Sequence, residues 1–539
     1  MELDLGPLVL KALGAGRAVS VTSHDNLAED REAPRPRWVP VAARGGYTPR
    51  MVLGGRLRAS PLLAAAAWLV AFAYAARAGA VAEPTVYDNH QLYLIGSRAA
   101  GMGGAYTALA CDEGALHYNP AGLVCARHSH LELVANAYMI QSLSVPRALG
   151  DGQNLSATTY HSIPSMVGGV YVLADGEASG AGRQALGFAV SIPYSIALKT
   201  APSSNTRNFL SGTWRDDVLA GDVGYAYQIT PSLGLGVSLG GMMRVMSGAN
   251  TLLVTRPNAG GGTEFIAADL QSDVLAVGLR AKAGARWTPT RALSLGLALV
   301  TPTLDVFGSY TSSSNLTLAG IDRTTGQPLA DAIPTRFTGK SAASFPMRFA
   351  VGVAYTTEST TLSADASVNL PHTVRTAYDL AAVPIDGVTP GAGEESKLER
   401  VLQPNLNLGA EVRVTRSVAI DVGAFTDISS VPAQGEQDRV HMFGLSAALS
   451  LIGVQTRGSF GASFSYGQAD TKVLTGELSL SNLGAQPEGV SRLTRWNLVG
   501  VIGSNYSFLP DDVAAEAAER RRGPKDSTAP PAPPAPPAR

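Results

Sequence analysis

The sequence predicts an all-β protein, a transmembrane antiparallel β-barrel of about fourteen strands, from three observations. Segments in which apolar residues alternate with small or polar residues recur from residue 130 onwards. Short joins between these segments alternate with long polar joins, as they do in membrane barrels. No apolar run after residue 82 reaches the roughly 20 residues of a transmembrane helix, so a membrane span here requires strands closed into a barrel.

Residues 51–82 have the features of a secretory signal peptide. Two arginines precede a short apolar run from Leu62 to Tyr74, and Ala80-Val81-Ala82 provides a small-residue cleavage pattern. Because a signal peptide begins at the N-terminus, we predict that Met51 is the true start and that residues 1–50 are a non-native extension. A short anchor helix is the alternative interpretation of the apolar run.

Residues 96–123 carry the most specific pattern in the chain. The stretch Gly101-Met102-Gly103-Gly104 is followed by Asp112 and by the turn Asn119-Pro120-Ala121. The pattern resembles the N-terminal hatch of the FadL-type outer-membrane transporters, which carry long-chain fatty acids and other hydrophobic compounds. The resemblance implies that residues 83–129 form a hatch that plugs the barrel, and that these eight residues hold or gate it. It also implies fourteen strands, so the strand count is not independent of it.

The resemblance has functional implications as well. It implies passive uptake of a hydrophobic compound, fatty-acid-like or aromatic, across the bacterial outer membrane, with sideways release into the lipid. The partners are then a hydrophobic small molecule and outer-membrane lipid. Related hatch-bearing barrels act as scaffolds or as partners in protein secretion, which leaves a non-transport role as the alternative. A general porin is a third possibility, and it requires a wide polar pore.

The predicted strands lie near residues 130–141, 162–173, 184–198, 214–229, 233–246, 273–288, 292–308, 346–356, 361–370, 404–415, 418–426, 440–452, 457–467 and 495–508. The alternation is clearest in the segments from Leu233, Leu293, Leu362 and Leu406 onwards. One face of each strand is apolar and the other is small or polar, which directs the first to lipid and the second to the lumen. A soluble β-sandwich also alternates, but with more Phe, Trp and Ile on its apolar face.

The joins between these strands differ in length in a regular way. The short joins run from Ile229 to Leu233, Thr288 to Ala292, Thr356 to Thr361 and Thr415 to Val418, and the long polar joins lie near 247–272, 309–345, 371–403 and 467–494. Short periplasmic turns opposite long external loops are typical of membrane barrels.

The last predicted strand ends in aromatic residues, followed by a tail. Trp496, Tyr506 and Phe508 fit the interfacial girdle of a membrane barrel. A terminal Phe also resembles the signal by which the barrel-assembly machinery recognises bacterial barrels. The charged and Pro-rich residues 509–539 cannot form a packed core, and their composition predicts an extended, disordered periplasmic tail.

No motif in the sequence favours an enzyme, a cofactor or nucleic-acid binding. The 42 basic and 43 acidic residues lack the basic excess that a nucleic-acid surface needs. The segment Gly236–Gly240 matches the G-x-S-x-G pattern of serine hydrolases, but its serine lies in a predicted strand and not at a strained turn. His128 and His130 have no third metal ligand nearby and are predicted to be solvated. We therefore predict a protein that is not an enzyme and holds no metal or other cofactor.

Pro193 lies within the third predicted strand. Proline cannot donate a ladder hydrogen bond, so it marks a bulge, a kink or an edge. In the FadL family the third strand is kinked inward and opens the barrel wall towards lipid. The resemblance therefore makes Pro193 the candidate for a lateral opening, and a wrongly placed strand boundary is the alternative.

Two further sets of residues are candidate functional positions. Cys111 and Cys125 flank the turn at Asn119, where a disulfide would contribute roughly 3 kcal/mol in an oxidising compartment; two free buried thiols are the alternative. Strand phase directs five cations into the lumen, namely Arg280, Lys282, Arg286, Arg348 and Arg413. These cations either hold the carboxylate headgroup of a ligand or pair with the acidic residues Asp222, Asp365 and Glu411 or with the hatch.

Overall fold

The computed structural model describes Asn89 and residues 94–148, 154–176, 180–200, 203–204, 208–257, 263–321, 328–377, 395–433, 438–474 and 488–508 of the 539-residue chain. The predicted extension 1–50, signal peptide 51–82 and tail 509–539 all lie outside the described residues.

The alternating segments of the sequence pair with one another in chain order around a barrel. Within the described residues the barrel strands are β1 (His130–Val145), β2 (Leu155–Ala174), β3 (Gln184–Lys199), β4 (Asn208–Thr230), β5 (Leu233–Pro257), β6 (Thr263–Trp287), β7 (Leu293–Val300 and Leu304–Ile321), β8 (Pro328–Gly339 and Arg348–Thr356), β9 (Thr360–Asn369), β10 (Gln403–Arg413), β11 (Val418–Asp427), β12 (His441–Ile452), β13 (Thr456–Leu474) and β14 (Glu488–Ser507). The short strand Ser203–Ser204 pairs with β4, and the strands His372–Ala377 and Glu395–Arg400 form a separate hairpin.

The sheet closes on itself between its first and last strands. β1 pairs antiparallel with β14, from His130 opposite Ser507 to Ser144 opposite Thr494. Closure removes the sheet edges, which lipid cannot hydrogen-bond. The described part of the chain is thus a closed antiparallel barrel of fourteen strands, which confirms the predicted fold class and strand number.

The outer surface of the barrel is apolar. On β10, Leu406 and Leu408 are 49% and 47% exposed, whereas Asn405 and Asn407 are 5% and 2% exposed. Such alternation follows from the two-residue period of a strand, and it directs leucines outward and amides inward. An apolar outer belt on a closed barrel is the arrangement that a bilayer requires, so the protein is a transmembrane barrel of the outer-membrane class. None of the described helices is long and apolar enough to cross a membrane.

Several strands are longer than the sequence predicts. β5 continues to Pro257 and β6 begins at Thr263, so most of the predicted join 247–272 is paired strand. The predicted join 467–494 likewise contains the ends of β13 and β14. The prediction was wrong here because backbone ladders continue above the lipid, where the outward side chains no longer need to be apolar.

Residues 94–129 pack against the inward faces of the strands. They form helix α1 (Ser97–Gly101), helix α2 (Ala115–Tyr118) and a 3-10 helix (Pro120–Cys125). The chain then enters β1 at the barrel end that carries the short turns, such as the one between β4 and β5. We name residues 94–129 the N-terminal segment. Its apolar side chains are the largest part of the buried core.

Candidate functional site

Glycines of the wall allow the N-terminal segment to approach the strands closely. A Cβ added at Gly236, Gly296 or Gly423 would overlap the backbone of the segment at Pro120–Ala121, at Thr107 and at Gly103 respectively. In the segment itself, Gly103 has a φ of 62° and Gly104 a φ of 77°, a left-handed backbone that favours glycine. The glycine-rich pattern thus serves close backbone packing.

Three inward side chains of the wall bind the backbone of the segment. Asp365 on β9 accepts hydrogen bonds from the backbone N–H groups of Tyr106 and Thr107 at 2.8 and 2.7 Å. Asn407 on β10 donates to the carbonyl of Gly103 at 2.6 Å, and Ser446 on β12 donates to that of Gly101 at 2.9 Å. Because polar groups buried here have no access to bulk water, each bond fixes the position of the segment.

The predicted gating turn is tied to the wall as well as to the segment. Asn119 is fully buried, and its Oδ1 accepts a hydrogen bond from the N–H of Ala121 at 3.1 Å, which caps the 3-10 helix that begins at Pro120. Its Nδ2 donates to the carbonyls of Thr107 at 2.9 Å and Ala285 at 3.0 Å. One amide side chain therefore joins two parts of the segment to β6.

Charged groups add further links between the segment and the wall. Arg98 Nε lies 2.7 Å from Glu411 Oε2, which also lies 2.8 Å from Arg457 Nη2. Two of the predicted lumen cations have similar roles. Lys282 donates to the carbonyl of Leu116 at 2.7 Å and pairs with Asp222, and Arg286 donates to the carbonyl of Ala108 at 3.2 Å. Lys282 and Arg286 thus take part in fixing the segment.

Cys111 and Cys125 are joined by a disulfide. The closed loop contains Asp112, whose Oδ2 accepts a hydrogen bond from the Tyr106 hydroxyl at 2.5 Å, and the turn at Asn119. The loop is therefore held by a covalent bond at its ends and by hydrogen bonds within it.

A buried acidic cluster lies where the segment meets β1. Glu113 and His130 approach to 3.2 Å, and Glu132 accepts a hydrogen bond from the Ser97 hydroxyl at 2.6 Å. Burial raises the pKa of the Glu113 carboxyl to about 7. The prediction that His130 is solvated was wrong, because its side chain points inward from β1 and is only 7% exposed.

A small cationic cavity lies beside the segment. Its volume is about 70 Å³, enough for about five water molecules, and its lining includes His117, Arg280, Lys282, Arg348, Phe345 and Asn405. Burial, and then the nearby cations Lys282, Arg348 and Arg280, lower the pKa of His117 well below its usual value. Arg280 and Arg348 form no ion pair with any described residue, and Arg413 lies exposed at the end of β10, away from the cavity.

The wall of the barrel is broken beside Pro193. The β2–β3 ladder runs from Ala174 opposite Gln184 to Met166 opposite Ser191, and in the described residues it resumes only at the bridge of Ala157 with Thr200. The β3–β4 register shifts at the same place, between Ser191 and Tyr194. Pro193 thus lies at a bulge within β3 and not at a wrongly placed strand end.

After Pro193, β3 leaves the lipid-facing surface. Tyr194, Ser195 and Ile196 are 6%, 1% and 1% exposed, so consecutive residues are buried where alternate ones should face lipid. Gln141 of β1 holds this part of the strand. Its Nε2 donates to the carbonyl of Ser195 at 3.2 Å, and its Oε1 accepts from the N–H of Ala197 at 2.9 Å. Pro193 and Tyr194 also line the cationic cavity, which connects the cavity to the break in the wall.

Solved structures with this architecture are known, although no protein-family model and no curated protein sequence matches the chain. A FadL homologue of Pseudomonas aeruginosa is 14% identical, covers 78% of this chain and all of its own length, and has a TM-score of 0.55. The toluene transporter TodX of P. putida is 15% identical, with coverage of 78% and 100% and a TM-score of 0.53.

The chain has the FadL-type fold. At these identities the similarity establishes the architecture of a FadL-type barrel, and the cargo has to be inferred from the site itself.

The residues of this FadL-type barrel that sequence reasoning missed are polar and lie on inward faces. Nothing in the sequence around Gln141 or Glu113 indicates their partners, which only the fold shows. The glycines on the inward faces of several strands were a usable signal, since glycine within a strand often marks the close approach of another backbone.

Proposed function

We propose that this FadL-type barrel takes up hydrophobic compounds with an anionic headgroup, such as long-chain fatty acids, passively across the outer membrane. The observation that carries the proposal is the continuity between the cationic cavity and the break in the wall, since Pro193 and Tyr194 belong to both. In this proposal the N-terminal segment is a hatch that plugs the lumen, and the break beside β3 is the lateral exit into lipid.

Arg280 and Arg348 are the proposed headgroup ligands. A buried guanidinium without a carboxylate partner binds a carboxylate by charge-assisted hydrogen bonds. The Arg280 guanidinium also lies 5.6 Å from the ring centre of Phe345. The ring stabilises the cation on one side, and Arg280 still lines the cavity. Lys282 is less suited because Asp222 already neutralises it.

The volume of the cavity implies that the segment moves during uptake. About 70 Å³ is far below the 300–1,000 Å³ of a typical ligand site, so the described conformation holds a headgroup but not a chain. We propose that the turn at Asn119–Ala121 shifts to admit the rest of the cargo, as sequence resemblance implies. Such a shift has to break the Asn119 hydrogen bonds to Thr107 and Ala285.

A broken wall favours uptake over the alternative of a secretion-associated scaffold, which needs no route from the lumen to lipid. A filled interior argues against a general porin, which needs a wide polar channel. The names of the structural neighbours, a FadL homologue and a toluene transporter, support hydrophobic cargo in general and leave the headgroup to be tested.

The proposal can be tested by uptake of radiolabelled palmitate and toluene. The measurement uses Gram-negative cells that lack other channels for hydrophobic compounds. We expect the full chain to accelerate both, and the double variant Arg280→Gln/Arg348→Gln to lower palmitate uptake roughly tenfold while sparing toluene. Arg291→Gln is the matched control, since this arginine is exposed in the turn between β6 and β7 and lines neither the cavity nor the break beside β3. Failure to accelerate palmitate uptake would overturn the proposal, whether or not toluene uptake rises.

A further inference from the structure

The wall has a second break, between β10 and β11. Their ladder runs from Arg413 opposite Ala419 to Asn407 opposite Phe425. Among the described residues, Gln403 to Leu406 have no backbone ladder partner on the β11 side, although β10 and β11 both continue past the last rung. We name this break, at residues 403–406 and 426–428, the notch.

The neighbouring ladders stay intact on both sides of the notch. β10 remains paired with β9 as far as Gln403 opposite Asn369, and β11 remains paired with β12 as far as Asp427 opposite Met442. The notch is therefore a local separation of two strands and not a frayed end of the barrel.

Side chains bridge the notch in place of the ladder. The Thr426 hydroxyl accepts from the N–H of Leu406 at 2.9 Å, and Asn405 Oδ1 accepts from the N–H of Ile428 at 2.9 Å. Gln403 Nε2 donates to the carbonyl of Ile428. Side chains change rotamer on a faster timescale than strands separate, so these bridges open without moving the barrel.

An apolar groove of about 560 Å³ lies on the outside of the notch. Its lining includes Phe349, Val351, Val368, Leu406 and Ile428. The outward positions at every second residue from Leu402 to Val412 are all apolar, so the groove lies within the lipid-facing belt. Its volume is that of a typical small-molecule site.

The inside of the notch opens onto the cationic cavity. Asn405 lines both the cavity and the groove. Arg348 lines the cavity and donates to the hydroxyl of Ser367 at 3.3 Å, and Ser367 in turn lines the groove. Asn405 thus lies between the cationic cavity, which Arg348 lines, and the apolar groove.

We propose that the notch is a binding site for a single-chain anionic amphiphile, which lies across the wall with its headgroup at Arg348 and its chain in the outer groove. The cavity has the charge and the volume for a carboxylate but not for an acyl chain, whereas the groove is large and apolar but is lined by no charged residue. Only a molecule with both parts matches both volumes. The inference deepens the proposed function and rests on it, since it gives the same cavity a second connection to the membrane.

Photolabelling of the full chain in lipid nanodiscs tests this site. The probe is palmitic acid with a diazirine in mid-chain, and its methyl ester is the neutral control probe. We expect the acid to label the groove at Phe349, Leu406 and Ile428 roughly tenfold more than the ester, because only the acid pairs with Arg348. Arg348→Gln should reduce labelling by the acid to the level of the ester.

A disulfide across the notch provides the second arm of the test. A disulfide in Leu406→Cys/Thr426→Cys extends the register by one rung and closes the notch. It should reduce labelling of the groove by the acid to the level of the ester. Leu408→Cys/Ala424→Cys, on an intact rung of the same strands, is the matched control and should leave the ratio of acid to ester labelling unchanged.

Three outcomes would contradict the inference. Equal labelling by acid and ester would make the groove ordinary lipid-facing surface. Labelling by the acid that is confined to the cavity and to residues 192–199 would overturn the notch site alone and leave the proposed function standing. Absence of labelling by the acid at either place on the protein would overturn both the notch site and the proposed function.

Discussion

Replacing Gln141 by leucine should allow β3 to return to the wall and lower uptake. The Gln141 amide makes two hydrogen bonds to the inward part of β3, to Ser195 and to Ala197. Leucine is of similar size and makes neither bond. The freed backbone groups then find partners on β2, whose edge between Ala157 and Met166 lacks a ladder on the β3 side.

The size of the effect follows from the two lost bonds. A hydrogen bond contributes about 1 kcal/mol net, so the inward position of β3 should lose about 2 kcal/mol relative to the wall-paired position. At 1.4 kcal/mol for each factor of ten, the ratio of the two positions should shift roughly 30-fold. Uptake that depends on the inward position should fall by up to that factor.

Two measurements check this prediction on one sample. Uptake of palmitate reports the open gap, and hydrogen exchange of the backbone amides from Tyr194 to Lys199 reports how β3 is paired. Gln468→Leu is the matched control, because this glutamine is exposed on β13. Unchanged uptake in Gln141→Leu, with increased pairing of β3 seen by exchange, would refute the link between the gap and release.

Three further predictions concern the N-terminal segment. Asp365→Ala removes the acceptor of two backbone N–H groups and should destabilise the packed segment by about 3 kcal/mol or more, seen as faster hydrogen exchange at residues 105–108. The double variant Cys111→Ser/Cys125→Ser should lower the free energy of unfolding of the segment by about 3 kcal/mol, measured by proteolysis at increasing urea; an unchanged midpoint would contradict it. Because the pKa of Glu113 is raised from 4.5 to about 7, its contribution to stability is complete below pH 4.5 and is lost as the pH rises through 7. The protection factors of the segment amides, from which the intrinsic pH dependence of exchange has been divided out, should therefore be lower at pH 8 than at pH 5.5, and Glu113→Gln should remove that difference.

The outer surface of the barrel was predictable from the sequence, and the interior was predictable only in part. Lipid demands apolar residues at every second position, so segments such as the one from Leu406 to Val414 identify their strands without knowledge of their partners. The short turns were predictable for the same reason, because each lies between the ends of two alternating segments. Where strands extend beyond the lipid, as β5 and β6 do, outward side chains need not be apolar. The alternation of apolar and polar residues is then lost, although the backbone ladder continues.

Inward positions carry less information because their partners are distant in sequence. Strand phase alone correctly predicts that Arg280 and Arg348 point inward. It cannot distinguish them from Lys282 and Arg286, which also point inward but bind carbonyl groups of the N-terminal segment. For Arg413 the phase argument fails, because the alternation stops at the end of β10. The notch was not predictable, since its residues alternate like those of any other strand.

The disulfide has a mechanical consequence for the N-terminal segment. A pulling force on the chain before Cys111 passes through the sulfur bridge to Cys125, which is five residues ahead of the start of β1. Residues 112–124 therefore carry no tension, and the turn at Asn119 cannot be drawn out into an extended chain while the bridge is intact. A force applied from the N-terminal side would instead act on residues 111–125 as one unit, and so on the hydrogen bonds that join this loop to the wall.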